Sequence, residues 1–158
     1  MSVNKKTIIV FSGDLDKAMA SFIIANGAAA MGDEVSMFFT FWGLNILRKH
    51  ESVKLKKSFL ESLFGWIMPR GAEKLGLSKM NFGGMGSFMM KSIMKKKNVS
   101  TLNELIATAR EMGVKMIACT MAMDVMGIKE EELIDGLEYG GVISYLGEAD
   151  EANVNLFI

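Results

Sequence analysis

The sequence predicts one α/β domain with a mainly parallel sheet, and two observations near its beginning support that prediction. Residues 7–11, Thr-Ile-Ile-Val-Phe, form an unbroken run of β-branched and apolar side chains, which is typical of a strand buried on both faces. An alanine-rich helical pattern follows and ends at Gly32, and a second apolar strand is predicted over 34–39. A strand, a helix and a strand in this order indicate a right-handed parallel unit.

The second half of the chain supplies the remaining elements. Thr101 and Glu104 fit a capping box at the start of a helix, and residues 114–119 are predicted to form the next strand. The end of the chain predicts three further elements, namely a short strand near 137–139, a helix over 142–149 and a last strand over 153–158. The predicted sheet therefore has about five strands.

The middle of the chain, at about 44–98, is rich in Met, Gly and Lys and is too short to hold a core of its own. A helix is predicted over 59–67, before Pro69 ends the pattern. We therefore predict a single domain over residues 1–158, with a helical insertion at about 44–98.

Composition narrows the classes of function. The 18 basic and 18 acidic side chains cancel, so no global field attracts nucleic acid, and a nucleic-acid-binding role is not expected. One cysteine cannot form an internal disulfide, the first residues lack the apolar core of a signal peptide, and no apolar run approaches ~20 residues. These features predict a cytoplasmic protein. The 15 methionines fit a plastic core and adaptable contact surfaces.

Cys119 is the first candidate for chemistry. It is placed at the carboxyl end of a predicted parallel strand, which is the edge where ligands bind in open α/β sheets. A helix beginning at the next residue would present unpaired N–H groups that favour the thiolate, the form of cysteine that attacks sulfur. A buried thiol that only fills space is the alternative, because residues 117–119 are a run of small apolar residues.

Residues that follow the neighbouring strands are predicted to form a pocket with Cys119. The aromatic residues after strand two would emerge at the same edge and exclude water, with ordinary core packing as the alternative. The turn before the first helix could hold an anion, although plain capping by Asp14 is the simpler explanation. The predicted pocket wall consists of Ser12, Gly13, Phe41, Trp42, Thr120 and Met121.

A metal site is not expected. His50 is the sole histidine and lies among charged residues, which predicts a solvated surface side chain. One histidine and one cysteine do not make a tetrahedral zinc site. A Cu(I) site of Cys119 with Met121, Met123 and Met126 is disfavoured, because a helix would point these methionines in different directions.

Residues 114–128, VKMIACTMAMDVMGI, resemble the cysteine motif of the DsrE/DsrF/TusD family of sulfur-relay proteins. Residues 12–17, 38–43 and 141–158 extend the resemblance, and residues 80–98 are similar to the DsrE2-like subgroup. The resemblance implies a three-layer α/β/α Rossmann-like fold and oligomers of identical or related subunits. It also implies that Cys119 carries sulfane sulfur as a persulfide, without a metal or organic cofactor.

The functional hypothesis is therefore a sulfur carrier or sulfurtransferase that passes sulfur between donor and acceptor proteins through Cys119. Whether the chain is an enzyme stays open, since a carrier is not a turnover catalyst. The alternative is a non-catalytic module of the same fold that binds a small ligand or acts as a scaffold.

Two surface features predict contacts with other molecules. Phe59, Phe64, Trp66 and Ile67 make the insertion too apolar for one small core to hide, which predicts a homo-oligomer. Residues 83–97 combine three glycines, an apolar face and four lysines, and are predicted to form a mobile lid at the mouth of the Cys119 pocket. The lysines Lys91, Lys95, Lys96 and Lys97 would meet an acidic partner or a membrane surface, with an ordinary solvated helix as the alternative.

Overall fold

Five parallel strands form one sheet in the computed structural model, which describes residues 3–158. The strands are β1 (Lys5–Val10), β2 (Glu34–Phe39), β3 (Lys115–Cys119), β4 (Glu138–Gly140) and β5 (Val154–Phe157). Their spatial order is β4-β3-β2-β1-β5, and every neighbouring pair is parallel. The predicted sheet of about five mainly parallel strands is confirmed.

Helices cover both faces of this sheet. They are α1 (Leu15–Ala30), α2 (Phe59–Ile67), α3 (Met85–Lys96), α4 (Leu102–Glu111), α5 (Thr120–Met126) and α6 (Val142–Asp150). Alternate residues of β2 point to opposite faces: Phe39 meets Phe22 of α1 at a ring distance of 5.9 Å, and Phe38 meets Tyr145 of α6 at 5.4 Å. Helix α4 packs beside α1, where Asn26 Nδ2 donates to Leu105 O at 3.0 Å. The three-layer α/β/α prediction is confirmed.

Most of the predicted element boundaries hold. Thr101 Oγ1 accepts from the Glu104 N–H at 3.3 Å, and Glu104 accepts from the Thr101 N–H at 2.7 Å, so the predicted capping box is present. The final helix and strand also form as predicted, as α6 and β5. The predicted cap of α1 is only partly right. Asp14 occupies the N-cap position, but its carboxylate accepts from Ser12 Oγ at 2.9 Å and not from a helix N–H.

Residues between β2 and β3 contribute to the same core as the sheet. A 3-10 segment at Phe41–Leu47 buries Leu44 and Leu47 completely, and Leu75 further along is also buried. Helix α2 contrasts with this, because only Gly65 within it is buried. That residues 44–98 are an insertion within one domain stays a prediction. Within residues 3–158 no helix has the length and apolarity needed to cross a bilayer.

A buried ionic cluster joins this middle segment to the loop after α5. The Arg48 and Glu132 side chains are 0% and 1% exposed, and Arg48 Nη2 lies 3.4 Å from Glu132 Oε1. Lys57 Nζ donates to Glu132 Oε2 and, at 2.6 Å, to Gly127 O, while Arg70 Nη1 lies 3.5 Å from Glu132 Oε1. One carboxylate thus holds three cations from three separate stretches of the chain.

The cluster keeps Glu132 ionised. Burial by itself would raise the pKa of the Glu132 carboxyl, but the Lys57 hydrogen bond, the Lys129 N–H and the positive charges of Lys57 and Arg48 outweigh burial and lower it. The pKa of Arg48 is lowered by burial first and then by the nearby charge of Arg70. Arg48 also donates to Gly65 O at 3.2 Å, which fixes the end of α2.

Replacing Glu132 with Gln is expected to reduce the free energy of unfolding by about 3–5 kcal/mol, because three cations then lose their shared buried counter-charge. The measurement is denaturant unfolding at neutral pH. Glu131→Gln, an exposed position in the same turn, is the matched control and should change stability by less than about 0.5 kcal/mol.

The stability of the Glu132→Gln variant is also expected to depend less on acid pH than that of the parent. The folded-state pKa of Glu132 lies below its unfolded value, so its contribution is complete above a pH of about 4.3 and is lost as the pH falls through the folded-state pKa. Glu132→Gln should therefore show a flatter decline of stability in acid than the parent. Equal pH slopes for the two proteins would contradict the role assigned to this carboxylate.

Candidate functional site

Cys119 is the last residue of β3 and lies at the carboxyl edge of the sheet. It pairs in register with Gly140 of β4, and its side chain is buried, with 3% of the residue exposed. By strand alternation it faces the same side as Ile117, which is paired with Phe38 on the α6 side of the sheet. The sole thiol of the chain is therefore covered, although the next residue in the sequence, Thr120, is exposed.

Two helices begin beside this thiol. Cys119 is the N-cap residue of α5, and α6 begins at Val142, two residues after the strand partner Gly140. No side chain caps either helix start. The N–H groups of a helix start carry partial positive charge, so both helix starts add positive potential at this edge of the sheet.

Two glycines allow the loops at this edge to approach each other. A Cβ on Gly43 would lie 2.0 Å from Val10 O, and a Cβ on Gly13 would lie 2.7 Å from Trp42 O. The turn after β2 can therefore cross directly over the end of β1, held by the Gly43 N–H donating to Phe11 O at 2.9 Å. Phe41, at the start of this turn, has a φ of 46°, a conformation that costs a non-glycine residue energy.

An aromatic cluster follows from this close approach. Phe11 packs on Phe41 and Phe157 with ring distances of 5.6 and 5.7 Å, and Trp42 meets Phe64 of α2 at 6.4 Å. Trp42 remains 46% exposed. The carboxyl edge thus presents an apolar aromatic surface that α2 helps to build.

The structure brings the predicted pocket residues to one edge. Ser12 and Gly13 follow β1, Phe41 and Trp42 follow β2, and Thr120 and Met121 follow β3. Of these, Trp42, Thr120 and Met121 are exposed and the others are half-buried. Five clefts are found within residues 3–158, and Cys119 lines none of them. That these six residues form the wall of a pocket around Cys119 therefore stays a prediction.

Helix α3 lies beside the first turns of α1 and α4. Lys91 Nζ donates to Glu73 O at 2.6 Å, and a cleft of about 660 Å³ lies between α3 and those first turns. Cys119 does not line that cleft. That residues 83–97 form a lid over the thiol stays a prediction.

The candidates for metal ligation are His50 and the methionines that follow Cys119. His50 is exposed and its Nε2 lies 3.6 Å from Glu73 Oε2. Met121 points outward with 54% exposure, whereas Met123 and Met126 are buried, so the three methionines do not converge. Within residues 3–158 no group of three His, Cys, Asp or Glu side chains is arranged to hold a metal ion.

Sequence reasoning missed the Arg48–Glu132 cluster. In the sequence Arg48 is one of the charged residues beside His50, and no role is predicted for it. The signal available was its position directly after the apolar residues 41–47, which continue the core. Lys57 donates to Gly127 O at the end of α5, so this cluster holds the helix that begins at the thiol.

The fold and the edge cysteine define a Rossmann-like α/β/α protein with a single thiol at the carboxyl end of its central parallel strands. The model of the DsrE/DsrF/DrsH-like family matches residues 3–157, and the chain belongs to that family. The family resemblance inferred from the sequence motifs is confirmed.

Two curated proteins are similar over almost the whole chain. The uncharacterized protein YrkE of Bacillus subtilis (strain 168) is 60% identical over 154 residues, which cover 98% of this chain and 96% of that protein. The sulfur carrier protein DsrE2 of Allochromatium vinosum is 40% identical over 162 residues, covering both chains completely.

Two solved structures share the fold. The ychN protein from E. coli superimposes with a TM-score of 0.58 at 10% identity, covering 99% of this chain and 100% of that chain. Protein MTH1491 from Methanobacterium thermoautotrophicum, of unknown function, gives a TM-score of 0.54 at 10% identity, with 97% and 98% covered. At this identity the likeness concerns the fold alone.

The close approach at Gly43 gives a testable prediction. Gly43→Ala should lower the free energy of unfolding by about 1–3 kcal/mol, because the new methyl group meets the Val10 carbonyl and the turn after β2 must move. Gly27→Ala is the matched control: a Cβ there meets nothing within 4 Å, and the helix interior should gain about 0.5–1 kcal/mol. Denaturant unfolding measures both. Equal stability of Gly43→Ala and the parent would show that the turn can move at no cost.

Proposed function

We propose that this protein is a sulfur carrier that holds sulfane sulfur as a persulfide on Cys119. The observation that carries the proposal is the position of the chain's only cysteine, at the carboxyl end of β3 beside the starts of α5 and α6. Similarity to a protein named as a sulfur carrier, along the complete chain, supports the same reading.

The transfer reaction needs no cofactor. The Cys119 thiolate attacks the outer sulfur of a donor persulfide, R–S–SH. The new S–S bond forms at Cys119, the donor S–S bond breaks, and its electron pair leaves on the donor as R–S⁻. In the second step an acceptor thiolate attacks the same outer sulfur and Cys119 leaves as a thiolate. Each step exchanges one S–S bond for another, so no external oxidant or reductant is consumed.

Burial of Cys119 fits storage between these two steps. Because Cys119 is 3% exposed, its sulfur is shielded from free thiols in solution, which would otherwise remove the outer sulfur. Exchange with a partner requires local opening at the exposed residues Thr120 and Met121, which follow the cysteine directly. Partner docking at this edge would supply that opening.

The surface beside the edge suits protein partners. A cleft of about 320 Å³ lies between α2 and α5, lined by Leu63, Phe64 and Ile67 from α2 and by Val125 and Met126 from α5. It adjoins the contact of Trp42 with Phe64 at the edge of the sheet. Exposed aromatic and aliphatic side chains beside a cleft of this kind are typical of protein contacts. Sulfur donor and acceptor proteins are the partners we propose.

Intact mass spectrometry tests the proposal. After exposure to polysulfide, or to a protein persulfide donor, the parent protein should gain the mass of one sulfur atom, and reductant should remove it. Cys119→Ala should gain nothing. Cys119→Ala/Ser92→Cys, which moves the single thiol to an exposed position on α3, is the matched control. Its adduct should be lost faster in excess free thiol, because it lacks the shielding of the sheet edge.

Absence of an adduct with every donor, together with slow alkylation of the native protein by iodoacetamide, would contradict a carrier role. The non-catalytic module, with a buried and inert cysteine, would then be the better description. Equal adduct lifetimes at positions 119 and 92 would show that the edge gives the persulfide no protection.

We also propose that the protein is a homo-oligomer. Phe59 and Trp66 on α2 are each 81% exposed, which is costly for aromatic side chains unless another surface covers them. Light scattering at micromolar concentration should give a multiple of the 17.4 kDa chain, and Phe59→Ser/Trp66→Ser should shift it towards one copy. Lys17→Gln, an exposed position on α1, is the control and should keep the parent mass. A monomeric mass for the parent would contradict self-association.

A further inference from the structure

Charge is strongly segregated along this neutral chain. Residues 48–98 hold 12 of the 18 basic residues and three of the 18 acidic residues, so this stretch has a formal charge of +9 and the remainder has −9. Arg48, Lys57 and Arg70 share the buried carboxylate of Glu132. The other basic residues of the stretch remain as a cationic surface. A neutral protein therefore carries one strongly basic region.

The same stretch contains a helix whose apolar side faces outward. Helix α3 buries Ser87 and Met94, seven residues apart, against the protein. Its exposed side carries Met85, Phe88, Met89 and Ile93 at helical spacing, and Phe88 is 74% exposed. A globular protein normally places such a face inward, so an apolar phase outside the protein is needed to cover it.

The turn before α3 holds more apolar side chains in the same exposed position. Met80 and Phe82 are both more than two-thirds exposed and both have positive φ values, of 58° and 44°. Asn81 between them fixes the turn: its side chain accepts from the Leu77 N–H at 3.1 Å, and its carbonyl accepts from the Gly86 N–H at 3.0 Å. The backbone is thus built to present Met80 and Phe82 outward.

Three lysines lie at the C-terminal end of this apolar face. Lys95, Lys96 and Lys97 form the last turn and C-cap of α3 and are exposed. None of the three takes part in an ion pair within residues 3–158. Lys96 follows Met89 and Ile93 by seven and three residues, which places it over the apolar side of the helix. Its long stem can lie on that side while the ammonium group reaches outward.

We propose that residues 80–97 form a peripheral binding surface for an anionic lipid bilayer. The apolar side chains enter the boundary between headgroups and acyl chains, and the lysines contact anionic headgroups. A single short helix with an apolar outer face and terminal lysines is the pattern of helices that lie in the membrane interface. A flat bilayer accepts an exposed helix face without a matching groove, which an acidic protein partner would have to supply. This lipid contact is independent of the chemistry of Cys119.

Vesicle co-sedimentation of the full chain tests the proposal. The protein should bind vesicles of phosphatidylcholine with phosphatidylglycerol at low salt, bind phosphatidylcholine alone much more weakly, and lose affinity as salt rises. Lys95→Gln/Lys96→Gln/Lys97→Gln should weaken binding ~100-fold, about fivefold for each lysine. Phe88→Ser should weaken it about tenfold. Ile143→Ser removes an equally exposed apolar residue of α6, outside the basic stretch, and should leave binding unchanged.

Four results would overturn the proposal. The first is no binding to anionic vesicles at low salt. The second is equal binding by the parent, the lysine variant and Phe88→Ser. The third is loss of self-association in Phe88→Ser with no vesicle binding by the parent, which would make this face a contact between copies. Binding of the parent to polyglutamate but not to vesicles would also overturn it, in favour of an acidic protein partner.

Discussion

The carboxylate of Glu132 is the constraint on which the rest of this structure depends. It lies in the loop after α5, yet its three cationic partners come from other parts of the chain. Arg48 follows the 3-10 segment, Lys57 lies ahead of α2, and Arg70 follows α2. A buried charge without its counter-charge is strongly unfavourable, so these stretches must meet for any of them to be buried. Arg48 then fixes the end of α2 through Gly65 O, and Lys57 fixes the end of α5 through Gly127 O.

This ionic cluster sets the framework around the thiol. Cys119 is the N-cap residue of α5, and α2 packs against α5. The ionic cluster therefore holds both helices beside the sheet edge, α5 through Gly127 and α2 through Gly65. The close contacts at Gly13 and Gly43 hold the other side of the edge, where the turns after β1 and β2 cross. Cys119 is therefore covered by a framework that is held on both sides, and the exposed Thr120 and Met121 follow it directly.

Two separate regions of the chain also differ in their charge and in their exposed apolar surface. The sheet and its covering helices hold the thiol and most of the acidic residues, whereas residues 48–98 hold most of the basic residues and the most exposed apolar helices. Within this stretch Met68, Ala72 and Leu75 join the common core, and Leu77 packs against it. Its outer face can therefore serve contacts with other molecules without changing the packing that supports Cys119.

The sequence by itself determined the elements whose signals are local. The buried strand over 7–11, the Thr101–Glu104 capping box, and the helix and strand at the end of the chain follow from side-chain type and spacing within a few residues. The place of Cys119 at a strand end follows from the same signals. Only the tertiary structure decided the burial of Arg48 with Glu132, 84 residues away, the crossing of Gly43 over Val10, and the cleft between α3 and the first turns of α1 and α4. Each of these depends on which distant groups meet, and a charged or glycine residue looks the same in the sequence whether its partner is solvent or a buried neighbour.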